Sequence, residues 1–525
     1  MTWYARKVRF QLLFRNQYAI MKPALASSGK IYEKGWEFLM KKQIIAALTS
    51  LMLLPVSGLQ MPVQAQEKQP LSEETISYYT EWKETYLRKN PYVTEESQYY
   101  VFYGEESYEQ AKKTVPVTVS EAHGYGMLIA ALMSDYDDEA KEIFDGMYRY
   151  YLAHPSSIGP HLMAWQQSDN GKALVDTNGS DSATDGDLDI AYALLLADQI
   201  WGSSGDIDYI QAANLVISDI MEYEVHHRMW ILQLGDWAHD PEDDKAPSGD
   251  GSGRTELKID DDYGHATRSS DFILQYFPVF ANVTGDDRWI NVYDMTNYII
   301  HQCTDYTKSG LLPDFCVKGL TGSWSGAPAN FLESEHDGEY YYNACRTPWR
   351  VCTDALLNQN PQAVDYAQKV NTCIKEASGG DPEKIYAGYD RVWGKPIENW
   401  NDLCFTAPLM ISASVAGDKE FHDAIRKEVL DIGVDSYFGN TIAMLCLITD
   451  DGGWLVPELK KCPGDVNASY RTDIADLRCM YYWLMKNPPT FVLKDPEAGD
   501  LNGDGAIDAR DLTLLRRMLL QKEEA

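Results

Sequence analysis

At 525 residues, with 45% apolar and 12% aromatic side chains, the chain can bury a sizeable core, which excludes a disordered or fibrous protein. Its 46 basic and 79 acidic residues leave a net charge of 46 − 79 = −33, a sign that repels phosphate backbones and argues against nucleic-acid binding.

Residues 1–39 carry no recognisable pattern and read as an upstream segment. At Met40 a signal pattern begins: Lys41 and Lys42, an apolar run from Ile44 to Leu54, then Val63-Gln64-Ala65 with small residues where a peptidase cuts. Pro55, Gly58 and Pro62 break that run well short of the ~20 residues a membrane span needs. Residues 40–65 are therefore expected to be a signal peptide, with a secreted, extracellular mature protein that has no membrane segment.

From 66 to 487 the chain reads as one large helical domain. Periodic apolar stretches fall at 72–88, 120–134, 138–153, 187–201, 208–222, 269–283, 287–304, 347–358, 362–377, 403–415, 421–430 and 470–485, about twelve helices. Regular strand–helix alternation and evenly spaced strands are both missing, so the expected fold class is all-α. The polar, Gly-rich stretches 223–268 and 309–346 are expected to be long functional loops.

Three constellations carry chemistry. In VTVSEAHGYGMLIAALM, residues 117–133, Ser120 is a candidate cap and Glu121 sits in the first turn, while Gly124 and Gly126 let a ligand or another backbone come close. A half-buried carboxyl there has its pKa raised, as a general acid needs; the plainer reading is a carboxylate complementing the helix dipole. In DSATDGDLDIAYALLLADQIW, residues 181–201, Asp181, Asp185, Asp187 and Asp189 crowd one helix entry, with calcium binding as a rival explanation. In NFLESEHDGEYYYNACRTPWR, residues 330–350, Glu333, Glu335, Asp337 and Glu339 precede Tyr340 to Tyr342, Asn343 and Arg346, so this loop can set a carboxylate across a cleft from Glu121.

Residues 488–499 read as a linker containing Pro488, Pro489, Pro496 and Gly499, followed by DLNGDGAIDARD. There Asp500, Asn502, Asp504, Ala506 through its carbonyl, Asp508 and Asp511 occupy positions 1, 3, 5, 7, 9 and 12 of an EF-hand-like loop, with Gly505 at the turn, which predicts a Ca²⁺ site in residues 500–525. The nine cysteines include no Cys-x-x-Cys spacing, and most are expected to be small buried hydrophobes rather than zinc ligands.

At these residues the chain resembles glycoside hydrolase family 8. SEAHGYGM looks like the family's proton-donor segment, and ATDGDLDIAYALLLADQIW follows its signature almost position by position. HLMAWQ (161–166), LQLGDWA (232–238), YYYNACRTPWR (340–350) and YFGNTIAMLCLI (437–448) look like further family segments. The resemblance implies an (α/α)6 barrel and an inverting cleavage of β-linked polysaccharide, with Glu121 as general acid and Asp185 at the central sugar subsite. The Asp that the best-known branch carries before Ala-Cys-Arg, its general base, is Asn343 here, and Asn cannot accept a proton at neutral pH. A second branch, with lichenases and chitosanases, resembles this chain in having Asn there and a Glu on a long preceding loop. Glu333 is the candidate base on that pattern, with Glu335 and Asp337 as alternatives. Asn343, Arg346, Trp165, Trp237, Tyr437 and Phe438 are candidate substrate-binding residues. Each aromatic among them has core packing as its rival reading.

The C-terminal loop with the helix LTLLRRMLL resembles one repeat of a dockerin, the module that joins a secreted enzyme to a cohesin-bearing scaffold protein, and so implies cellulosome association. The expected protein is a monomeric secreted endo-β-1,4-glucanase of cellulose or mixed-linkage lichenan, with a chitosanase as the rival substrate reading and a non-catalytic sugar-binding scaffold component as the rival class. Ca²⁺ is the one cofactor expected, and none for catalysis.

Overall fold

The computed structural model describes residues 69–522 except 105, 240–262, 320–321, 434–435, 459–461, 468–471, 487–491 and 494. The upstream segment, the signal peptide and most of the acidic stretch after Trp237 lie outside the described residues.

Between residues 73 and 450, twelve longer helices of the described chain form six pairs, besides the four-residue Tyr108–Ala111. They are α1 Glu73–Tyr86, α2 Ser120–Leu132, α3 Ala140–Ala153, α4 Thr184–Trp201, α5 Tyr209–Tyr223, α6 Tyr276–Thr284, α7 Arg288–Thr304, α8 Thr347–Asn358, α9 Pro361–Ser378, α10 Leu403–Ala416, α11 Lys419–Ile432 and α12 Tyr437–Asp450. Even-numbered helices are apolar around most of their circumference: in α4 every residue from Thr184 to Ala197 is buried, and in α12 every residue from Gly439 to Thr449. Such helices find no solvent face and must lie inside. Odd-numbered helices are one-sided. In α11 only Phe421, Ile425 and Val429 are buried, a four-residue period that marks an outer helix. The inner helices pack α2 on α4, α8 on α10, α10 on α12 and α12 back on α2, while α6 meets its outer neighbours α5 and α7. This is the (α/α)6 barrel that the resemblance implied.

Three small antiparallel sheets sit in the connections: β1 Leu87–Lys89 with β2 Tyr99–Val101; β3 Val115–Val119 with β4 Gln166–Asp169 and β5 Leu174–Asp176; and β6 Ala266–Arg268 with β7 Phe315–Lys318 and β8 Trp324–Gly326. They carry function: β3 runs straight into α2, and β6 and β7 hold up the loop that leads to α8.

The close approach of α2 and α4 explains one sequence feature. A Cβ on Gly124 would sit 2.7 Å from Asp189 Cβ and 2.9 Å from the Gly186 carbonyl oxygen, so this glycine admits the backbone of α4. Gly124→Ala is expected to destabilise the protein by about 1–3 kcal/mol through overpacking, read as a lowered unfolding temperature; an unchanged temperature contradicts that reading of the α2–α4 contact.

Several local expectations need correction. Ser120 is the first helical residue rather than the cap; Val119 caps α2, with no side-chain bond. The stretch read as a helix from 269 turns first through Ser269–Asp271, and α6 starts at Tyr276. α12 is absent from the expected helices, although α10, at least as apolar and as fully buried, is among them. Conversely, the helix read at 470–485 is not the last of the barrel. Here α13 Ile474–Leu484 packs against α14 Ala509–Lys522 around Val466, Met480, Leu493 and Leu515, a core separate from that of the barrel. The C-terminal unit therefore starts before the segment read as a linker.

Candidate active site

The ends of the inner helices bring the acidic motifs together. Glu121 lies in the first turn of α2, Asp185 in the first turn of α4, Arg346 ends the 3-10 turn Ala344–Arg346 that opens into α8, and Tyr437 begins α12. Helix N-termini favour carboxylates through their exposed N–H groups and dipole.

Arg346 is the hub. Its Nη1 donates to Glu121 Oε2 and, at 3.0 Å, to Asp185 Oδ2, and lies 3.2 Å from the Tyr125 hydroxyl; its Nη2 donates to Asn343 Oδ1 at 3.0 Å. Arg346 is thus a fork shared between two carboxylates and an amide. A bidentate pair lies one helical turn further on, where Arg350 Nη1 and Nη2 hold the two oxygens of fully buried Asp189, which also accepts from the Tyr276 hydroxyl at 2.8 Å.

Glu121 is part-buried, its side chain 16% exposed, and its Oε1 accepts from the Tyr437 hydroxyl at 3.1 Å. Burial raises its pKa above the usual carboxylate range, and the charge of Asp185 adds to this against the opposing Arg346. Asp185 goes the other way. Burial alone would raise it, yet the guanidinium groups of Arg346, Arg268 and Arg350 hold it below the ordinary value. Two carboxyls sharing one arginine are thereby split into a proton-holding group and an anion.

A pH dependence follows. A general acid works only while protonated, so with Glu121 in that role activity is expected to fall as pH rises through its pKa. Tyr437 stabilises the ionised form through its hydrogen bond, hence Tyr437→Phe is expected to move the alkaline limb of kcat/KM to higher pH. A shift to lower pH contradicts the assignment.

The loop carboxylates separate clearly. Glu333 is 46% exposed; its Oε2 accepts from Asn343 Nδ2 at 2.7 Å, and its Oε1 from Arg268 Nη2 at 3.3 Å. Asp337 is fully buried and accepts the backbone N–H groups of Leu332, Glu333 and Ser334 at 2.7–3.0 Å, which folds the loop. Glu339 accepts the Arg391 N–H at 2.6 Å. Glu335 points outward. Of the four, Glu333 alone joins the network of Glu121.

The remaining candidates are dispersed. Trp165 is half-buried, its Nε1 donating to the Asn178 carbonyl at 3.1 Å. Trp237 is half-buried too and packs edge-on against Tyr263, whose other neighbour is Phe331. Phe438 lies 5.5 Å from the Arg346 guanidinium, so one face serves the charge hub. The acids at the α4 entry do not gather into a cation site: Asp187 accepts the Met163 N–H at 2.8 Å, while Asp185 and Asp189 face different arginines.

Three residues that sequence reading missed complete the site. Arg268 ends β6, its guanidinium 5.4 Å from the Phe315 ring. Asp271 shares the field of Asp185, Arg268 and Arg346, burial pushing its carboxyl up to about 7. Asp314, also pushed up to about 7 by burial, accepts the N–H groups of Tyr341 and Ala344. Nothing in local sequence marks them, since each gains its meaning from strand pairing between segments far apart in the chain.

Comparison with known proteins agrees with this geometry. The family described as glycosyl hydrolases family 8 matches residues 72–242. A beta-glucanase of Niallia circulans is 38% identical over 377 residues, covering 71% of this chain and 83% of that protein. The chain belongs to glycosyl hydrolase family 8. An endoglucanase of Bacillus sp. strain KSM-330 is 33% identical, covering 80% of this chain and 85% of its own. Among solved structures, a beta-1,3-1,4-glucanase from Paenibacillus sp. X4 superposes with a TM-score of 0.63 at 35% identity, over 74% of this chain and 96% of that one. A family 8 xylanase from Teredinibacter turnerae, at 16% identity and TM-score 0.57, over 74% of this chain and 98% of that one, shares the fold. As a family 8 member the protein is a glycoside hydrolase, which removes the reading as a non-catalytic scaffold component.

A second match, to the dockerin type I domain, spans residues 463–520 and takes in α13 as well as α14. The two halves repeat at an offset of 511 − 476 = 500 − 465 = 35 residues. Asp511 accepts the N–H groups of Leu501, Asn502 and Asp508 at 2.9–3.2 Å; Asp476 accepts those of Asn467 and Asp473 at 3.1 and 2.8 Å. The earlier loop escaped sequence reading because Ser469 and Tyr470 stand where the later loop has Asp504 and the turn glycine Gly505. A single C-terminal repeat is therefore corrected to a pair.

Proposed function

We propose that the protein is a secreted endo-β-glucanase that cuts β-1,4 links of mixed-linkage or cellulose-type glucan with inversion, Glu121 acting as general acid and Glu333 as general base. The observation that carries this reading is the chain Glu121–Arg346–Asn343–Glu333, which ties one part-buried proton-holding carboxyl to one exposed carboxylate without direct contact between them. An inverting site needs such a pair some ~6.5–9.5 Å apart, with water between base and sugar.

In the reaction, Glu121 gives its proton to the glycosidic oxygen as the C1–O bond breaks. Water attacks C1 from the opposite face and loses a proton to Glu333. Asp185, kept anionic by its arginines, faces the ring whose C1 gains positive character. Tyr437 holds the Glu121 oxygen that does not touch Arg346. Trp165, Trp237 and Phe438 offer ring faces to neighbouring sugars, with Asn343 and Arg346 fixing the carboxylates. Release of reducing ends from lichenan, carboxymethyl cellulose and chitosan, run in parallel, tests the substrate: glucan cleavage with chitosan untouched is expected, and cleavage of chitosan alone contradicts the glucanase reading. A fall in viscosity ahead of reducing-end release marks endo action.

The C-terminal module is proposed to hold Ca²⁺ and to dock on a cohesin-bearing scaffold outside the cell. Asp500, Asn502, Asp504, Ala506, Asp508 and Asp511 offer the all-oxygen donor set that a hard cation takes, and the loop is already curled by Asp500 accepting the N–H groups of Gly503, Asp504 and Gly505. Ile474, Tyr481 and Leu520 are exposed apolar residues on its helices, available to a protein partner. Chelation is expected to speed proteolysis after residue 463; cleavage equally slow with and without calcium contradicts metal stabilisation.

A further inference from the structure

Asn343 stands among three charged groups, and its carboxamide is fully used. Its Oδ1 accepts from Arg346 at 3.0 Å, one N–H of Nδ2 goes to Glu333 Oε2 at 2.7 Å, and the same nitrogen lies 3.5 Å from Asp314 Oδ2. The orientation follows from chemistry: a flipped amide would turn its oxygen on two carboxylates and its nitrogen on a guanidinium. The same arrangement explains why an Asp is unsuited to position 343 here. It would place a third carboxylate between Asp314 and Glu333.

Asp314 is built into the fold far more firmly than Glu333. It is 2% exposed and directly precedes β7. Its Oδ1 collects the N–H groups of Tyr341 and Ala344 at 2.9 and 2.7 Å, so it clamps the backbone turn on both sides of Asn343. Its own backbone donates to the Glu339 carbonyl and accepts from Ser269 N–H, which ties the turn to the base loop and to the β6 side of the site. Glu333, by contrast, stands 46% exposed on a loop, and its carboxylate is held, among the described residues, by Asn343 and Arg268.

We propose that Asp314 is a positioning residue for the catalytic base: through the Asn343 carboxamide it fixes where Glu333 holds its carboxylate relative to the attacking water. This rests on Glu333 being the base and adds the element that aims it. Asp314→Asn isolates the effect, because Asn can still accept the Tyr341 and Ala344 N–H groups while turning a donor towards Asn343 Nδ2. A misplacement of this kind costs roughly 10- to 100-fold in turnover without removing a substrate contact.

The test compares wild type, Asp314→Asn, Glu333→Ala and the double variant on lichenan, with azide added to the last two. Azide attacks C1 in place of water, needs no proton removed, and leaves with the sugar as a glycosyl azide, so it does not need an aimed base. Asp314→Asn is expected to lower kcat by about 10- to 100-fold with KM within about threefold, and the azide-rescued rates of Glu333→Ala and the double variant are expected to match. Asn343→Ala, which removes the link while leaving the Asp314 clamp, is expected to lose kcat to a similar extent and serves if Asp314→Asn folds poorly. An inert Glu333→Ala beside a fully active Asp314→Asn overturns this proposal alone, as does an azide-rescued rate that falls by the same factor as the unrescued one, since that marks a general distortion. A Glu333→Ala variant with near-normal turnover overturns the base assignment and this proposal with it.

Discussion

Glu121→Gln is expected to lower kcat on β-glucan by about a thousandfold, roughly 4 kcal/mol of barrier, while substrate binding changes little. The carboxamide nearly matches the carboxyl in size; its one oxygen can still accept from Arg346, while its nitrogen can donate to the Tyr437 hydroxyl oxygen, so the network around it is largely kept. What disappears is the proton for the leaving oxygen. The loss should therefore be smaller on aryl glycosides whose leaving group departs as a stable anion, because those need less protonation. A uniform loss on good and poor leaving groups would point to displaced substrate instead. Near-normal turnover of polysaccharide by Glu121→Gln removes Glu121 as the acid.

Glu333→Ala is expected to cost two to four orders of magnitude in kcat, about 3–5 kcal/mol, for the opposite reason. Protonation of the leaving group is intact, yet water attacks without a carboxylate to take its proton. Azide should restore part of the rate and yield a glycosyl azide of α configuration from a β-linked substrate. Glu335→Ala, which changes an outward-pointing side chain, is expected to be close to wild type. Asp337→Ala is a distinct case: it removes the acceptor of three backbone N–H groups, so it loosens the Glu333 loop, and azide should relieve its defect as well. An inactive Glu335→Ala beside an active Glu333→Ala contradicts the base assignment.

Glu121, the proposed acid, could be singled out in sequence because its surroundings are local. Glu121, the glycines that let α4 approach and the acids at the entry of α4 all lie within short motifs, and the structure brings them together. Glu333, the proposed base, was legible only as one of several loop carboxylates. What sorts them is where each side chain points: Asp337 inward to its own loop, Glu339 to Arg391, and Glu333 to Asn343 and Arg268. That information lies in the pairing of β6 with β7, across some fifty residues. Arg268 and Asp314 were invisible for the same reason.

The outer α11 announces itself through Phe421, Ile425 and Val429, and the inner α4 and α10 were read as helices although they are buried almost all round; the inner α12, of the same apolar kind, was passed over. Twelve helices were expected for the barrel and twelve are found, but only because the missed α12 was balanced by α13, which belongs to the C-terminal module. There the apolar period of α13 was correctly read as helix, and its partner was mistaken because the first calcium-type loop has Ser469 for the Asp504 donor and Tyr470 for the turn glycine Gly505.

The most direct measurement of the central claim is the anomeric configuration of the first product. Proton NMR of a mixed-linkage β-glucan digest, recorded before mutarotation, should show the new reducing end appearing as the α anomer, since a water set between sugar and Glu333 attacks opposite the departing chain. A new end that appears first as the β anomer would mean a covalent intermediate and a carboxylate close enough to form it, and would contradict the two-carboxylate arrangement built on Glu121 and Glu333.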